Sequence, residues 1–115
     1  MIRKQKEMPT EDRPNMRGGP GTVTLKHYFK PEDFKSKCRL CSKLTLPPGT
    51  GIGVHKHETE DEVFIILKGQ GMLDDGTTKT RVAEGDAILT GNGASHAITN
   101  DGKTDLKIAA IIMTY

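Results

Sequence analysis

The chain has 115 residues, a formal net charge of +2, a hydrophobic content of 34% and 13 glycines. This length is that of one domain with its own core, and the composition is typical of a turn-rich β protein rather than a disordered chain. The near-balance of charge, with lysines and glutamates interspersed, excludes a basic stripe for nucleic acid and a polybasic membrane anchor.

The first 21 residues predict an extended arm, and residues 22–115 predict the folded domain. The segment 1–21 is polar and rich in proline and glycine, which favours an arm over a packed element. It lacks the apolar stretch of a secretory leader, and the longest apolar run, residues 108–113, is too short to span a bilayer. We therefore expect a cytoplasmic protein with no membrane partner.

Beyond the arm, short apolar or alternating runs predict an all-β domain. One helical turn with proline near its start is expected at residues 31–34. The predicted strands are residues 22–28, 38–46, 52–57, 62–67, 71–73, 79–82, 86–89, 95–99 and 106–114. Glycine, proline, asparagine and aspartate supply the turns between them. Many short strands with regular turns indicate a sandwich or barrel, a group that includes jelly rolls.

Two cysteines occur in the strand predicted at residues 38–46. A C-x-x-C spacing can indicate a zinc or redox site, but a zinc site needs a second pair and the redox motif needs a helix N-terminus. Alternation along a regular strand places Cys38 and Cys41 on opposite faces. We therefore predict two unpaired cysteines that stay reduced.

A candidate metal site begins in the strand predicted at residues 52–57. His55 and His57 point to the same face of that strand because successive side chains alternate. A hairpin after His57 can bring the Glu62 carboxylate beside both imidazoles, and His96 can complete the shell from another strand. Three imidazole nitrogens and one carboxylate oxygen suit one divalent Mn, Fe, Co, Ni, Cu or Zn ion per chain, and disfavour Ca or Mg.

The expected site is open and mostly apolar. Phe64, Ile66 and Ile98 share the inward phase of Glu62 and His96, which predicts an apolar pocket around the ion. Four protein ligands on a six-coordinate ion leave two positions for water, oxygen or a bidentate substrate. A small-molecule ligand is therefore the expected partner.

The other polar candidates are interpreted as structural. Glu58, Glu60 and Asp61 predict a solvated hairpin tip, with a general acid–base role as the alternative. His27 is expected at a solvent edge rather than in the metal shell. Asn100 is expected to hold a turn through its own side-chain hydrogen bond rather than to touch a substrate.

The last predicted strand, residues 106–114, predicts a homodimer because it is apolar in both phases. One phase contains Leu106, Ile108, Ala110 and Ile112, and the other contains Ala109, Ile111 and Met113. One face can pack against the core, but the other still needs cover. A second copy could supply that cover, with the arm lying along the partner's sheet edge.

The ligand spacing resembles the two motifs of the cupin family. Nine of the ten fixed positions agree, and they are Gly49, His55, His57, Glu62, Gly69, Gly85, Gly93, His96 and Asn100. Gly91 stands where the family has proline, which affects the rigidity of the turn but supplies no ligand. The resemblance covers about residues 38–115.

This resemblance implies a cupin double-stranded β-helix, the jelly-roll barrel, with a divalent metal on the four candidate ligands and Mn or Fe favoured. It also supports a homodimer, since small cupins commonly pair through their sheets. Larger cupins that decarboxylate oxalate have two domains and a lid that carries an acid. Here one hairpin occupies the spacer between the motifs, residues 70–84, so decarboxylation is not expected.

Three functions stay open at this point. As the resemblance implies, the chain could be a Mn- or Fe-dependent dioxygenase, isomerase or lyase acting on a small oxygen-rich metabolite. It could instead be a non-catalytic metal, sugar or metabolite binder, or a protein whose ion only locks the barrel. No positioned base is identifiable, so the sequence assigns no catalytic residue.

Overall fold

The computed structural model describes residues 1–115 and shows an all-β protein. Its helical segments are three short 3-10 turns at Gln5–Glu7, Met16–Gly18 and Pro31–Asp33. The ten strands are β1 (Thr10–Pro14), β2 (Thr22–Phe29), β3 (Cys38–Leu46), β4 (Gly51–Lys56), β5 (Glu60–Lys68), β6 (Gln70–Asp74), β7 (Lys79–Ala83), β8 (Ala87–Gly91), β9 (Ser95–Thr99) and β10 (Leu106–Thr114). No helix has the length and apolar character needed to cross a membrane.

The strands form two antiparallel sheets with the core between them. One sheet has six strands in the order β1-β2-β3-β10-β5-β8, and the other has four in the order β4-β9-β6-β7. Both sheets contribute to a core cluster of 13 buried residues. In β10, Leu106, Ile108 and Ala110 are fully buried, whereas the alternate residues Ala109 and Ile111 face outward and are only partly covered. Alternation along each strand therefore separates a core face from an outer face.

The predicted strands and the jelly-roll fold class are confirmed. Each predicted run overlaps one of the strands β2 to β10, and the helical turn expected at residues 31–34 is the 3-10 turn at Pro31–Asp33. These elements were predictable because each contains either an alternating pattern or a short apolar run between turn residues.

The arm contains a strand that the sequence analysis missed. β1 pairs with β2 of the same chain, from Thr10 opposite Lys26 to Pro14 opposite Thr22. The expectation of an arm without a packed element is therefore wrong for β1. All five residues of this strand are polar or proline and none is buried, so no periodic pattern marks it.

The arm also closes one side of the barrel. The Gly51 amide donates to the Pro20 carbonyl at 2.9 Å, which places the end of the arm along the edge of β4. A Cβ at Gly53 would lie 2.0 Å from the Arg17 carbonyl oxygen, so this approach requires glycine. In this structure the arm thus covers an edge of its own chain.

A bulge in β3 corrects the expected geometry of the cysteines. Leu40 lies opposite Ile112, but Cys38 lies opposite Met113, so Arg39 is an extra residue in β3. Residues directly opposite each other share a face, which places Cys38 on the same face as Met113, although Cys38 itself is buried. Cys41, opposite Ile111, lies on that same face. Both thiols are unpaired in the structure, but the expectation of opposite faces is wrong.

Candidate metal centre

The four predicted ligands come together at one end of the barrel, from both sheets. His55 lies on β4 directly opposite His96 on β9, His57 follows the end of β4, and Glu62 lies on β5 of the other sheet. Each offers one ligand atom, and these atoms all lie within 4.8 Å of one another. The cluster is therefore arranged so that it could hold one metal ion.

A bulge in β4 aims His55 into the barrel. Ile52 pairs with Ile98 whereas His55 pairs with His96, so β4 has one more residue than β9 in this interval. On a regular strand Ile52 and His55 would face opposite sides, because they are three positions apart. The bulge lets Ile52 pack in the core while His55 also faces inward.

The ligand atoms are spaced as they would be around a common ion. Glu62 Oε1 lies 2.9 Å from His96 Nε2, 3.0 Å from His57 Nε2 and 3.8 Å from His55 Nε2. The Nε2 atom of His96 lies 3.1 Å from that of His57 and 2.9 Å from that of His55. Ligand atoms about 2.0–2.2 Å from one ion, at right angles, lie about 3 Å apart, which matches most of these distances.

Hydrogen bonds on the far side of the rings set the tautomers of two histidines. His55 Nδ1 lies 2.7 Å from the Gly53 carbonyl oxygen, and His57 Nδ1 lies 2.7 Å from Glu60 Oε1. The Gly53 carbonyl can only accept a hydrogen bond, and so can the Glu60 carboxylate when it is ionised. Each Nδ1 therefore carries the proton, and each Nε2 has a free lone pair. His96 Nδ1 pairs at 2.9 Å with the Thr90 hydroxyl, which can either donate or accept.

Glu62 Oε1 has no hydrogen-bond partner, although it is buried. The Nε2 atoms of His55 and His57 are close contacts rather than donors, because both rings hold their proton on Nδ1. Lone pairs and a carboxylate oxygen therefore converge on one point, which is unfavourable unless a cation lies between them. The donor set fits a divalent transition metal.

The ionisation states also suit a metal. Burial acts to raise the pKa of Glu62, but His55 and His96, when their rings also carry a proton on Nε2, outweigh it and lower the value to about 2. Burial lowers the pKa of His96 from its usual value, which favours the neutral ring that can bind a metal.

The metal cluster has the apolar neighbours that were expected, but not the open pocket. The Phe64 ring stacks on the His96 ring, with centroids 4.9 Å apart and planes at 15°. Ile66 and Ile98 belong to the core cluster. None of the three cavities of the structure is lined by a member of the metal cluster, so the expected open pocket is not seen. His55, with 10% of its side chain exposed, is the most accessible member of the cluster.

Two structural assignments are confirmed. His27 lies outside the cluster, where its ring contacts Ser42 Oγ at 2.6 Å and Glu11 Oε1 at 2.8 Å. Asn100 is fully buried, and its Oδ1 accepts from the Gly102 amide at 2.9 Å to hold the turn. Its side-chain amide also donates to the Leu46 carbonyl at 2.8 Å.

The acidic hairpin differs from the solvated tip that the sequence predicted. Glu58 is exposed, but only 13% of the Glu60 side chain is exposed, and Glu60 contacts both His57 and Arg39. The Asp61 carboxylate accepts from the Tyr115 hydroxyl. Sequence analysis missed the role of Glu60, although its spacing of two from Glu62 places both on the same face of β5.

Gly91, the one departure from the motif, has a structural reason. It lies directly opposite Asp61 at the end of β8. A Cβ at this position would lie 1.9 Å from Asp61 Oδ1 and 3.0 Å from the Glu60 carbonyl oxygen. Glycine therefore leaves room for the carboxylate that binds Tyr115.

Comparisons with known proteins agree with this architecture. The cupin domain family model matches residues 42–113. An oxalate-binding protein of Thermotoga maritima is 40% identical over 113 residues, which are 98% of this chain and 93% of the relative. A crystal structure from the same organism, described as a predicted oxalate decarboxylase, has a TM-score of 0.95 at 39% identity and covers 100% of both chains. KdgF from Halomonas sp. shares the fold, with a TM-score of 0.80 at 14% identity over 100% of this chain and 94% of that one.

Proposed function

The chain belongs to the cupin family, and from that premise we propose that it is a metal-dependent binder of a small dicarboxylate, with oxalate as the first candidate. The observation that carries the proposal is the buried, unpartnered Glu62 Oε1 among three imidazole Nε2 atoms. The relative that is 40% identical over nearly the whole chain and named an oxalate-binding protein supports the choice of ligand.

The four cluster residues would hold the ion through Nε2 of His55, His57 and His96 and Oε1 of Glu62. A divalent ion in that position would offer its remaining coordination sites to the carboxylate oxygens of the ligand. We propose Mn or Fe as the resident metal, from the resemblance to cupins, and the cytoplasm as the location, from the sequence. Phe64 supports the shell by stacking on the ring of His96.

Binding is favoured over decarboxylation because the structure positions no acid to deliver a proton. Glu60, the carboxyl nearest to the cluster beyond Glu62, accepts two hydrogen bonds of 2.8 Å from Arg39. The Arg39 guanidinium, together with His57, lowers the pKa of Glu60 to about 2, so this group is ionised and already engaged. A general acid would need a proton to donate near neutral pH.

Calorimetric titration with oxalate tests the proposed function. We expect oxalate to bind the Mn-loaded protein and to show no measurable heat with chelator-treated protein or with a His55→Ala/His57→Ala variant. Acetate should bind much more weakly than oxalate, because it has one carboxylate where oxalate has two. Equal binding of oxalate before and after chelation, or no binding to the loaded protein, would contradict the proposal.

We also propose that the protein is a homodimer, paired through the outer face of the six-stranded sheet. In one row across four strands, Leu89, Val63, Ile111 and Cys41 lie opposite one another in turn. Leu89, at the end of this row, is 72% exposed, and Ile65 on the same face is 38% exposed. A second copy of the same face would cover these apolar side chains.

A further inference from the structure

His57 differs from the other two histidines of the cluster in the partner of its Nδ1. His55 contacts a backbone carbonyl and His96 a hydroxyl, whereas His57 donates to the carboxylate of Glu60 at 2.7 Å. We propose that Glu60 and Arg39 are positioning residues that fix the ring of His57 and thereby set how tightly the site holds its ion. This inference rests on the proposed function of the cluster as a metal site.

Arg39 holds the Glu60 carboxylate through both of its oxygens. Its Nε donates to Oε2 and one terminal nitrogen donates to Oε1, both at 2.8 Å. Oε1 therefore accepts from His57 and Arg39 at the same time. A carboxylate held by a two-pronged guanidinium has little freedom to turn, so it presents a fixed acceptor to the imidazole.

The bulge in β3 is what brings Arg39 to this position. In a regular strand Arg39 would share the outer face with Cys41, because the two residues are two positions apart. The extra residue between Cys38 and Leu40 changes this alternation. Arg39 then reaches past β10 to Glu60, which lies opposite Thr114 on β5. Bulges commonly redirect one side chain in this way next to functional sites.

Burial distinguishes this pair from an ordinary surface ion pair. Only 13% of the Glu60 side chain is exposed, against 43% of Arg39. The two-pronged pair of Arg81 and Asp101 has similar distances, but its side chains are 45% and 41% exposed and it does not contact the metal cluster. Arg81 and Asp101 therefore supply a matched control on the same chain.

The test compares the metal affinity of variants by competition with a chelator, using Co²⁺ as the probe. We expect Glu60→Ala to bind about 10–100-fold more weakly, the usual effect of removing a partner of a ligating histidine. Glu60→Gln should lose much less, because its amide oxygen can still accept from His57. Arg39→Ala should fall between them, since the carboxylate stays but is no longer held.

The pair of Glu60 variants separates hydrogen bonding from charge. Both remove the same negative charge, but only Glu60→Gln keeps an acceptor for His57. The visible absorption of bound Co²⁺, which reports ligand geometry, should change in Glu60→Ala and stay near wild type in Glu60→Gln. Asp101→Asn and Arg81→Ala should leave both the affinity and the spectrum unchanged.

Three outcomes would overturn the inference. The first is wild-type metal affinity in both Glu60→Ala and Arg39→Ala. The second is an equal loss of affinity in Glu60→Gln and Glu60→Ala, which would mean that the charge of Glu60, and not its hydrogen bond to His57, sets the affinity. The third is an equal loss in Asp101→Asn. A wild-type chain that takes up no ion would instead contradict the proposed function and this inference together. Glu60→Gln and Arg39→Ala keep the test decisive if Glu60→Ala does not fold.

Discussion

At the scale of single residues, Glu62 is the side chain whose surroundings most favour a bound cation. Its Oε1 atom is buried and unpartnered, with three imidazole nitrogens within 3.8 Å. Without an ion, the folded chain bears the unfavourable contact of these acceptors. The residue that most favours metal binding is therefore also one that destabilises the metal-free protein.

Substitution of Glu62 by glutamine should have opposite effects on the two forms. The amide group of Glu62→Gln can donate to the Nε2 lone pairs, so we expect the chelator-treated variant to be more stable than wild type by about 1–3 kcal/mol. Metal binding should be lost or strongly weakened, because the anionic ligand is gone. Urea unfolding and metal analysis measure the two effects.

Glu84, an exposed glutamate, provides the control for this substitution. Glu84→Gln should change neither property. A metal-free Glu62→Gln protein that is less stable than wild type would mean that Glu62 has a favourable partner in the metal-free chain.

At the scale of strands, the sequence predicts the features that produce an alternating or short apolar pattern, and it misses the features that leave no such pattern. The nine strands β2 to β10 were predictable, as was the shared face of His55 and His57. β1 was not, because its residues are all polar or proline and none of them is buried. The bulge at Arg39 was not either, since one extra residue leaves no mark in composition and shows only in the register with β10.

The candidate site divides in the same way. The four ligands were predictable because their residue types and spacing are those that metal chemistry needs. The support from Glu60 and Arg39 was not, because it depends on a bulge and on a contact between residues 21 positions apart. Residues that position a ligand do not bind the metal themselves, so metal chemistry does not fix their spacing in the sequence relative to the ligands.

The packing of the arm against β4 gives a prediction at this scale. In Gly53→Ala, the new Cβ would lie 2.0 Å from the Arg17 carbonyl oxygen. Because backbone must move to make room, we expect a loss of about 1–3 kcal/mol in unfolding free energy. Hydrogen exchange should also become faster for the amides of residues 16–21, which pack beside β4.

Gly102→Ala is the matched control for Gly53→Ala. Its new Cβ would meet nothing closer than 3.3 Å, and that nearest atom belongs to the Asn100 side chain. We expect a much smaller loss of stability and unchanged exchange in the arm. Slow exchange in residues 16–21 of Gly53→Ala would show that the arm is not held by this contact.

At the scale of the whole molecule, the outer face of the six-stranded sheet gives the prediction of a dimer. Leu89 is 72% exposed and lies in the apolar row opposite Val63. A charge at this position would be buried without a partner in a dimer, so Leu89→Asp should shift the protein to a monomer. Light scattering at micromolar concentration measures this directly.

Val54 offers the control for this experiment. It is 66% exposed but lies on β4 of the other sheet. Val54→Asp should leave the dimer intact if the six-stranded sheet is the interface. A wild-type protein that is monomeric at micromolar concentration would refute the dimer itself, and dissociation by Val54→Asp alone would place the interface on the other sheet.

The metal content of protein purified from its native source tests the central claim most directly. Elemental analysis should find one divalent transition-metal ion per chain in wild type and none in the His55→Ala/His57→Ala variant. Because an ion that binds only the folded state stabilises it, removing the ion with a chelator should also lower the melting temperature of wild type by several degrees. Equal metal content in wild type and variant, or none in either, would contradict the assignment of His55, His57, Glu62 and His96 as a metal centre.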